Sequence, residues 1–146
     1  MGKIVISACL LGHNCKYNGG NNRCESVLRY VQGREVIAVC PEQLGGLPTP
    51  RCPAEIAGGE VRNAAGENVD AAFREGARRA AALLEGEDVE LAILQPRSPS
   101  CGVRAIYDGT FSKRLIPGQG IFARLLTEKG IRVLEPCDLP GGDNDV

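Results

Sequence analysis

Three apolar runs stand out along the chain: Ile4-Val5-Ile6, Val36-Ile37-Ala38-Val39 and Leu91-Ala92-Ile93-Leu94. None alternates with polar residues, the pattern of strands covered on both faces of a parallel sheet. They predict strands over 3–8, 35–39 and 89–94, with a last one over 131–134. Between them the apolar positions change to helical spacing. Cys24, Val27, Leu28 and Val31 fall at i, i+3, i+4 and i+7, after Asn21 or Asn22 as a cap, with Glu25 in the first turn and Gly33 as the stop. Phe73, Ala77, Ala80, Ala81 and Leu84 stripe a helix over 70–84 that Asp70 opens, with Arg74, Arg78 and Arg79 on its solvated face. Ile121, Phe122, Leu125 and Leu126 mark another, led by 118–120 and ended by Gly130. Two hairpins are expected, one over 54–62 broken at Gly58-Gly59 and one over 105–111 around Asp108-Gly109. The stretch 41–53 is so dense in turn formers that it predicts a long loop without regular structure, and 136–146 a frayed Gly/Asp-rich tail.

Strands alternating with helices predict an α/β fold: a single domain over 1–146, a mainly parallel sheet with flanking helices in Rossmann-like or flavodoxin-like layering, and the small hairpins beside it. At 146 residues the chain can build a core without staples. Composition narrows the function classes. A net charge of −1 and no dense Lys/Arg block leave duplex nucleic acid and anionic membrane without support as partners. No apolar run approaches the roughly 20 residues a bilayer span requires. The N-terminus enters its first strand without a signal-peptide pattern, so a cytoplasmic location is expected.

Seven cysteines change the picture most. An odd count without a secretion signal argues against a disulfide scaffold and for soft-ligand chemistry, zinc or iron–sulfur. Cys24 belongs to the helical stripe and reads as core. Cys9, Cys40 and Cys101 each follow the end of an apolar run, and ligands in such sheets collect beyond the carboxyl ends of the strands. If the three strands are neighbours, the three thiols meet. No CxxC pair is present, which weakens a structural zinc knuckle and favours a larger cofactor. Glu42 lies two residues after Cys40, and Ser98 and Ser100 just precede Cys101. A carboxylate can take a proton from water while a hydroxyl orients it; a solvated loop carboxylate and turn serines are the plain alternative.

Several stretches together carry a family likeness. Ser7-Ala8-Cys9-Leu10-Leu11-Gly12, Cys15-Lys16-Tyr17-Asn18-Gly19, Cys40-Pro41-Glu42, Gly45-Gly46-Leu47, Pro50-Arg51, Pro53-Ala54-Glu55-Ile56, Arg97-Ser98-Pro99-Ser100-Cys101-Gly102 and Tyr107-Asp108-Gly109-Thr110-Phe111 run in order over nearly the whole chain. The set resembles the thiouracil desulfidase family, formerly a bacterial domain of unknown function. The resemblance implies a 4Fe-4S cluster on three cysteines, whose free iron binds the sulfur of a thiolated pyrimidine while water replaces it without net redox change, a hydrolase- or lyase-type C–S cleavage. It implies Glu42 and Ser98 as the catalytic pair, Cys9, Cys40 and Cys101 as ligands, and Cys15 as an alternative ligand or a protecting thiol. Ser100, Arg51 and Arg97 are candidate substrate contacts, the two arginines equally able to tie loops together. Cys52 and Cys137 match nothing in the family pattern. Gln95-Pro96 stands where a Lys is common, Asn18 where Asp is and Asp70 where Thr is, which bears on substrate identity. The reading from another class is a non-catalytic zinc- or thiol-based metal or redox protein.

Overall fold

The first apolar run shows no alternation because both of its faces are covered. In the computed structural model, which describes residues 2–140, Ile4, Val5 and Ile6 are each fully buried in β1 (Lys3–Ser7). Ile4 and Ile6 pack on one side with Val27 and Val31 of α1 (Glu25–Tyr30) and its flank. Val5 packs on the other with Ala77 and Ala80 of α3 (Asp70–Ala82) and Phe122 and Leu126 of α4 (Ile121–Glu128). The sheet contains β1, β2 (Val36–Val39), β5 (Val89–Ile93) and β8 (Val133–Leu134) in the order β2-β1-β5-β8, all parallel. The three strands that Cys9, Cys40 and Cys101 follow are therefore neighbours. The order reverses between β1 and β5, and that reversal opens a crevice beyond the strand ends. A bundle of side chains this size dominates stability: each buried Leu, Ile or Phe contributes about 1.5–3 kcal/mol.

Two antiparallel pairs stand apart from the sheet, β3 (Ala54–Ala57) with β4 (Glu60–Asn63) and β6 (Ala105–Tyr107) with β7 (Leu115–Pro117). The first turns at Gly58-Gly59 as expected. The second does not turn tightly at Asp108-Gly109. Its strands are joined by 108–114, because Asp108 Oδ1 draws in the N–H of Thr110 at 3.0 Å and its hydroxyl at 2.6 Å, curling the chain into a wider loop closed by Asp108 N–H to the Arg114 carbonyl at 2.9 Å.

Three further expectations need correction. The helix after Asn21 is short, since Asn21 Oδ1 accepts the Arg23 N–H in a local turn and Cys24 takes the cap position. The region beyond Pro136 is not frayed where it is described: Pro136–Asp138 forms a 3-10 turn braced by reciprocal Glu135 and Asp138 contacts, and Leu139 is buried against the α1 side of the sheet. The rest of that tail, 141–146, lies outside the described residues. Finally, the stretch after Cys40 contains one helical turn, α2 (Pro41–Leu44). Pro41 presets its first residue, and the Leu44 N–H bonds the Cys40 carbonyl at 3.0 Å.

That turn lies hard against α3 through two glycines. A Cβ at Gly76 would overlap the Pro41 carbonyl oxygen, and one at Gly45 the Ala72 carbonyl oxygen. Alanine at a helical glycine normally gains about 0.5–1 kcal/mol, but here it meets backbone that cannot rotate aside. Gly76→Ala is therefore expected to lower stability by about 1–3 kcal/mol, read as a fall in the urea midpoint, and to push α2 away from the sheet.

Candidate active site

Beyond the ends of β1, β2 and β5 lies a cavity of about 440 Å³. β1 leads into a 3-10 turn, Ala8–Leu11, that carries Cys9 to its wall. β2 ends on Cys40, the residue that opens α2, and the same turn sets Glu42 two positions later. After β5 the chain loops through 98–102, where the Gly102 N–H bonds the Ser98 carbonyl at 2.8 Å. The first turn of α4 holds this loop from behind: Ile121 and Phe122 give their N–H groups to the carbonyls of Pro99 and Ser100, at 2.9 and 2.8 Å. Gly120 has no room for a side chain beside the Ser100 backbone, with a Cβ falling 2.5 Å from its carbonyl carbon.

The thiols of Cys9, Cys40 and Cys101 all line the cavity, and Cys15 joins them from the loop after β1. Cys52 is exposed and Cys137 half-buried, both away from that lining, while Cys24 is buried in the α1 core. The Cys9 thiol meets Gln95 Oε1 at 3.8 Å and accepts from Asn22 Nδ2 at 3.9 Å. The Cys15 thiol interacts with Cys40, which favours its thiolate, but the Cys9 thiol and burial outweigh that and push it up to about 11. Cys40 is raised by its contact with Cys15 and by burial. Burial pushes Cys101 up to about 12 against the pull of the Ser7 and Ser100 hydroxyls. Thiols gathered this tightly cannot all ionise beside one another unless a positive group joins them.

Beside the thiols runs a hydrogen-bonded chain, which meets them where the Ser100 hydroxyl lies 3.7 Å from the Cys101 sulfur. Ser100 Oγ donates to Glu42 Oε2 at 2.9 Å and stands 2.9 Å from Ser98 Oγ. With the Ser100 proton on Glu42, Ser98 is the donor in the second contact. Ser98 Oγ in turn accepts the N–H groups of Ser100 and Cys101, at 3.1 and 3.0 Å, which locks its rotamer. Glu42 Oε1 is held by Arg51 Nε and Nη2, each at 3.0 Å. This ion pair is largely shielded, with side-chain exposures of 7% for Arg51 and 16% for Glu42. Arg51 also donates to the carbonyls of Pro48 and Cys15, at 3.1 and 2.9 Å. Its guanidinium thus ties α2, its own loop and the Cys15 loop together around the carboxylate. Ser100 is 2% exposed, its hydroxyl engaged with Glu42. Arg97 reaches the cavity wall from a left-handed backbone position, φ 67°.

Several wall residues carry no periodicity signal. Tyr17, Tyr107 and Phe111 line the cavity, so half of the chain's three Tyr and three Phe residues gather at one site. Lys16 and Lys113 add positive charge near them, and Gln95 and Asn22 flank the Cys9 sulfur. Tyr17, Tyr107 and Phe111 lie in motif stretches quoted above, which was the available hint; Asn22 was legible only as a helix cap.

Comparisons with known proteins give the family and the fold. The family model described as 2-thiouracil desulfurase matches residues 4–137. The chain belongs to the 2-thiouracil desulfurase family. A Bacillus subtilis (strain 168) relative, the uncharacterized protein YbbK, is 39% identical over 146 residues, covering 93% of this chain and 97% of its own. Among solved structures, the 4Fe-4S-dependent thiouracil desulfidase TudS superposes with a TM-score of 0.89 at 39% identity, covering 97% of this chain and 95% of that one. The α/β fold with its parallel sheet is thus shared along almost the entire length of this family member.

The donor set fits an iron–sulfur group. Four thiols and no imidazole line the cavity, and sulfur is the ligand such clusters take. Among the described residues no three thiol, imidazole or carboxylate groups are arranged to hold a single metal ion. The cavity is of the size that takes a small-molecule ligand.

Proposed function

We propose that this chain converts 2-thiouracil or a related thiolated pyrimidine to the oxo compound by net hydrolysis, with a 4Fe-4S cluster held by Cys9, Cys40 and Cys101. The observation that carries the reading is the Glu42–Ser100–Ser98 chain standing in the same cavity as those thiols, its Ser100 hydroxyl 3.7 Å from the Cys101 sulfur. Family membership and the likeness to a 4Fe-4S-dependent desulfidase support it. A cluster on three protein thiolates keeps one iron free as a Lewis acid for a soft thiocarbonyl sulfur.

The chain's own groups supply the rest. The cavity walls of Tyr17, Tyr107 and Phe111 offer ring faces to a flat heterocycle. Glu42, kept in place by Arg51, takes a proton from a water aimed at the C–S carbon, and Ser98, fixed by two backbone N–H groups, orients the approach through Ser100. The new C–O bond forms, Glu42 gives its proton to the departing sulfur as the C–S bond breaks, and the freed carboxylate then takes the second proton from the new hydroxyl, leaving the carbonyl, and passes it to the hydrosulfide. The sum is thione plus water giving carbonyl plus hydrogen sulfide, with no electron gained or lost. Among the described residues no helix is long and apolar enough to cross a membrane, and a chain of free thiols suits the reducing cytoplasm.

Protein purified and reconstituted with iron and sulfide without oxygen is expected to release uracil and sulfide in equal amounts from 2-thiouracil. Chromatography and a colorimetric sulfide assay measure the two products. No release from 2-thiouracil, 4-thiouracil or their ribosides by cluster-loaded protein would overturn the reading.

A further inference from the structure

Two of the motif stretches supply neither a thiol nor a proton-handling group to this chemistry, Pro53-Ala54-Glu55-Ile56 at the start of β3 and Tyr107-Asp108-Gly109-Thr110-Phe111 at the end of β6. The structure joins them through one atom. Glu55 Oε1 accepts the backbone N–H of Gly109 at 3.0 Å and of Phe111 at 3.1 Å, across 54 and 56 residues of chain. Both are hydrogen bonds to a carboxylate, roughly twice as strong as neutral ones. Gly109, at φ +94°, lies so close to the first hairpin that a Cβ would stand 2.6 Å from Ala57 Cβ and 2.8 Å from the Ile56 carbonyl oxygen. The loop needs such a tie. Phe111 and Lys113 adopt left-handed backbone, φ 57° and 63°, which side-chain-bearing residues populate only when their surroundings impose it. Phe111 is 39% exposed, an apolar residue held against water at the cavity that it, Glu55, Tyr107 and Lys113 line.

The geometry points to Glu55 as a positioning residue: its carboxylate pins the 108–114 loop so that Phe111 and Lys113 form one wall of the substrate entrance, setting affinity for the flat heterocycle while leaving C–S cleavage to Glu42. This rests on the desulfurase reading for the identity of the substrate. Without the tie, the loop retains its internal Asp108–Thr110 contacts and the Asp108–Arg114 backbone bond. It then opens locally, as segments with few long-range contacts do.

In the cluster-loaded enzyme, Glu55→Ala is expected to raise KM for 2-thiouracil about tenfold with kcat changed less than about threefold, and iron and sulfide content as in the parent. Glu55→Gln retains an acceptor oxygen and should recover most of the affinity. A second readout needs no turnover. Limited trypsin digestion of the full chain, followed by mass spectrometry, should show cleavage after Lys113 and Arg114 several-fold faster in Glu55→Ala than in the parent, with Glu55→Gln between them. Gly109→Ala disturbs the same contact from the loop side and should behave like Glu55→Ala. An unchanged KM, or a loss confined to kcat, would overturn the positioning role, as would cleavage rates equal to the parent's. If the parent turns over no thiopyrimidine, the desulfurase reading fails, and the cleavage comparison still decides whether Glu55 holds the loop.

Discussion

Glu42→Gln is expected to lower the turnover of thiouracil by about 10²–10⁴-fold, the range a positioned acid–base group contributes. The substitution is nearly isosteric. An amide oxygen can still accept from Arg51 and the amide nitrogen can still contact Ser100, so the 3.0 Å and 2.9 Å links that frame the site have replacements. What disappears is the capacity to hold a proton between the water and the departing sulfur. Iron content and the visible cluster absorption should stay at parent levels, which separates this loss from a failure of assembly. A Glu42→Gln protein with parent-like turnover would transfer the proton-handling role to another group and dissolve the mechanism proposed here.

Removal of a cluster ligand is expected to have the other dominant effect. Cys9→Ala, Cys40→Ala and Cys101→Ala should each lose activity altogether and drop iron and sulfide loading to background after anaerobic reconstitution, since three thiolates are the minimum that retains such a cluster. Cys15→Ala should load normally and lose less than about tenfold in turnover, its side chain making no part of the Glu42–Ser100–Ser98 chain. The basis is topological. Cys9, Cys40 and Cys101 follow the ends of three adjacent parallel strands, whereas Cys15 sits in a loop whose carbonyl oxygen receives Arg51 Nη2 at 2.9 Å and the Cys40 thiol at 3.7 Å. The Cys15 backbone therefore has a structural duty that survives loss of its sulfur. Full loading of Cys9→Ala or Cys101→Ala together with empty Cys15→Ala would reverse the assignment.

Arg51 shows how a residue's type and its placement can be legible to different degrees. Its motif context marked it as either a substrate contact or a tie between loops. The structure places its guanidinium on Glu42 and on two backbone carbonyls, a clamp whose planar fork of donors lysine lacks. It also lines the cavity, so the clamp and a candidate substrate contact share one side chain. Arg97, the other candidate, lines the same cavity.

What the amino-acid sequence determined by itself was the set of locally encoded features: buried strands from unbroken apolar runs, helices from stripes at 3.6 spacing, the Gly58-Gly59 hairpin, and cysteines delivered at strand ends. Each rests on interactions within a few residues or on a face pattern that only one layered packing satisfies. Tertiary structure alone decided the rest. The helical turn after Cys40 exists because Gly45 and Gly76 let its backbone touch α3, a contact invisible to local propensity, which reads that stretch as loop. The wide 108–114 loop, the buried Leu139 and the meeting of Ser100 with Glu42, 58 residues apart, likewise depend on partners distant in the chain. A cysteine, serine or glutamate announces a capacity for chemistry. Which atom stands 2.9 Å from which other is settled only when the sheet order brings separate strand ends to one crevice.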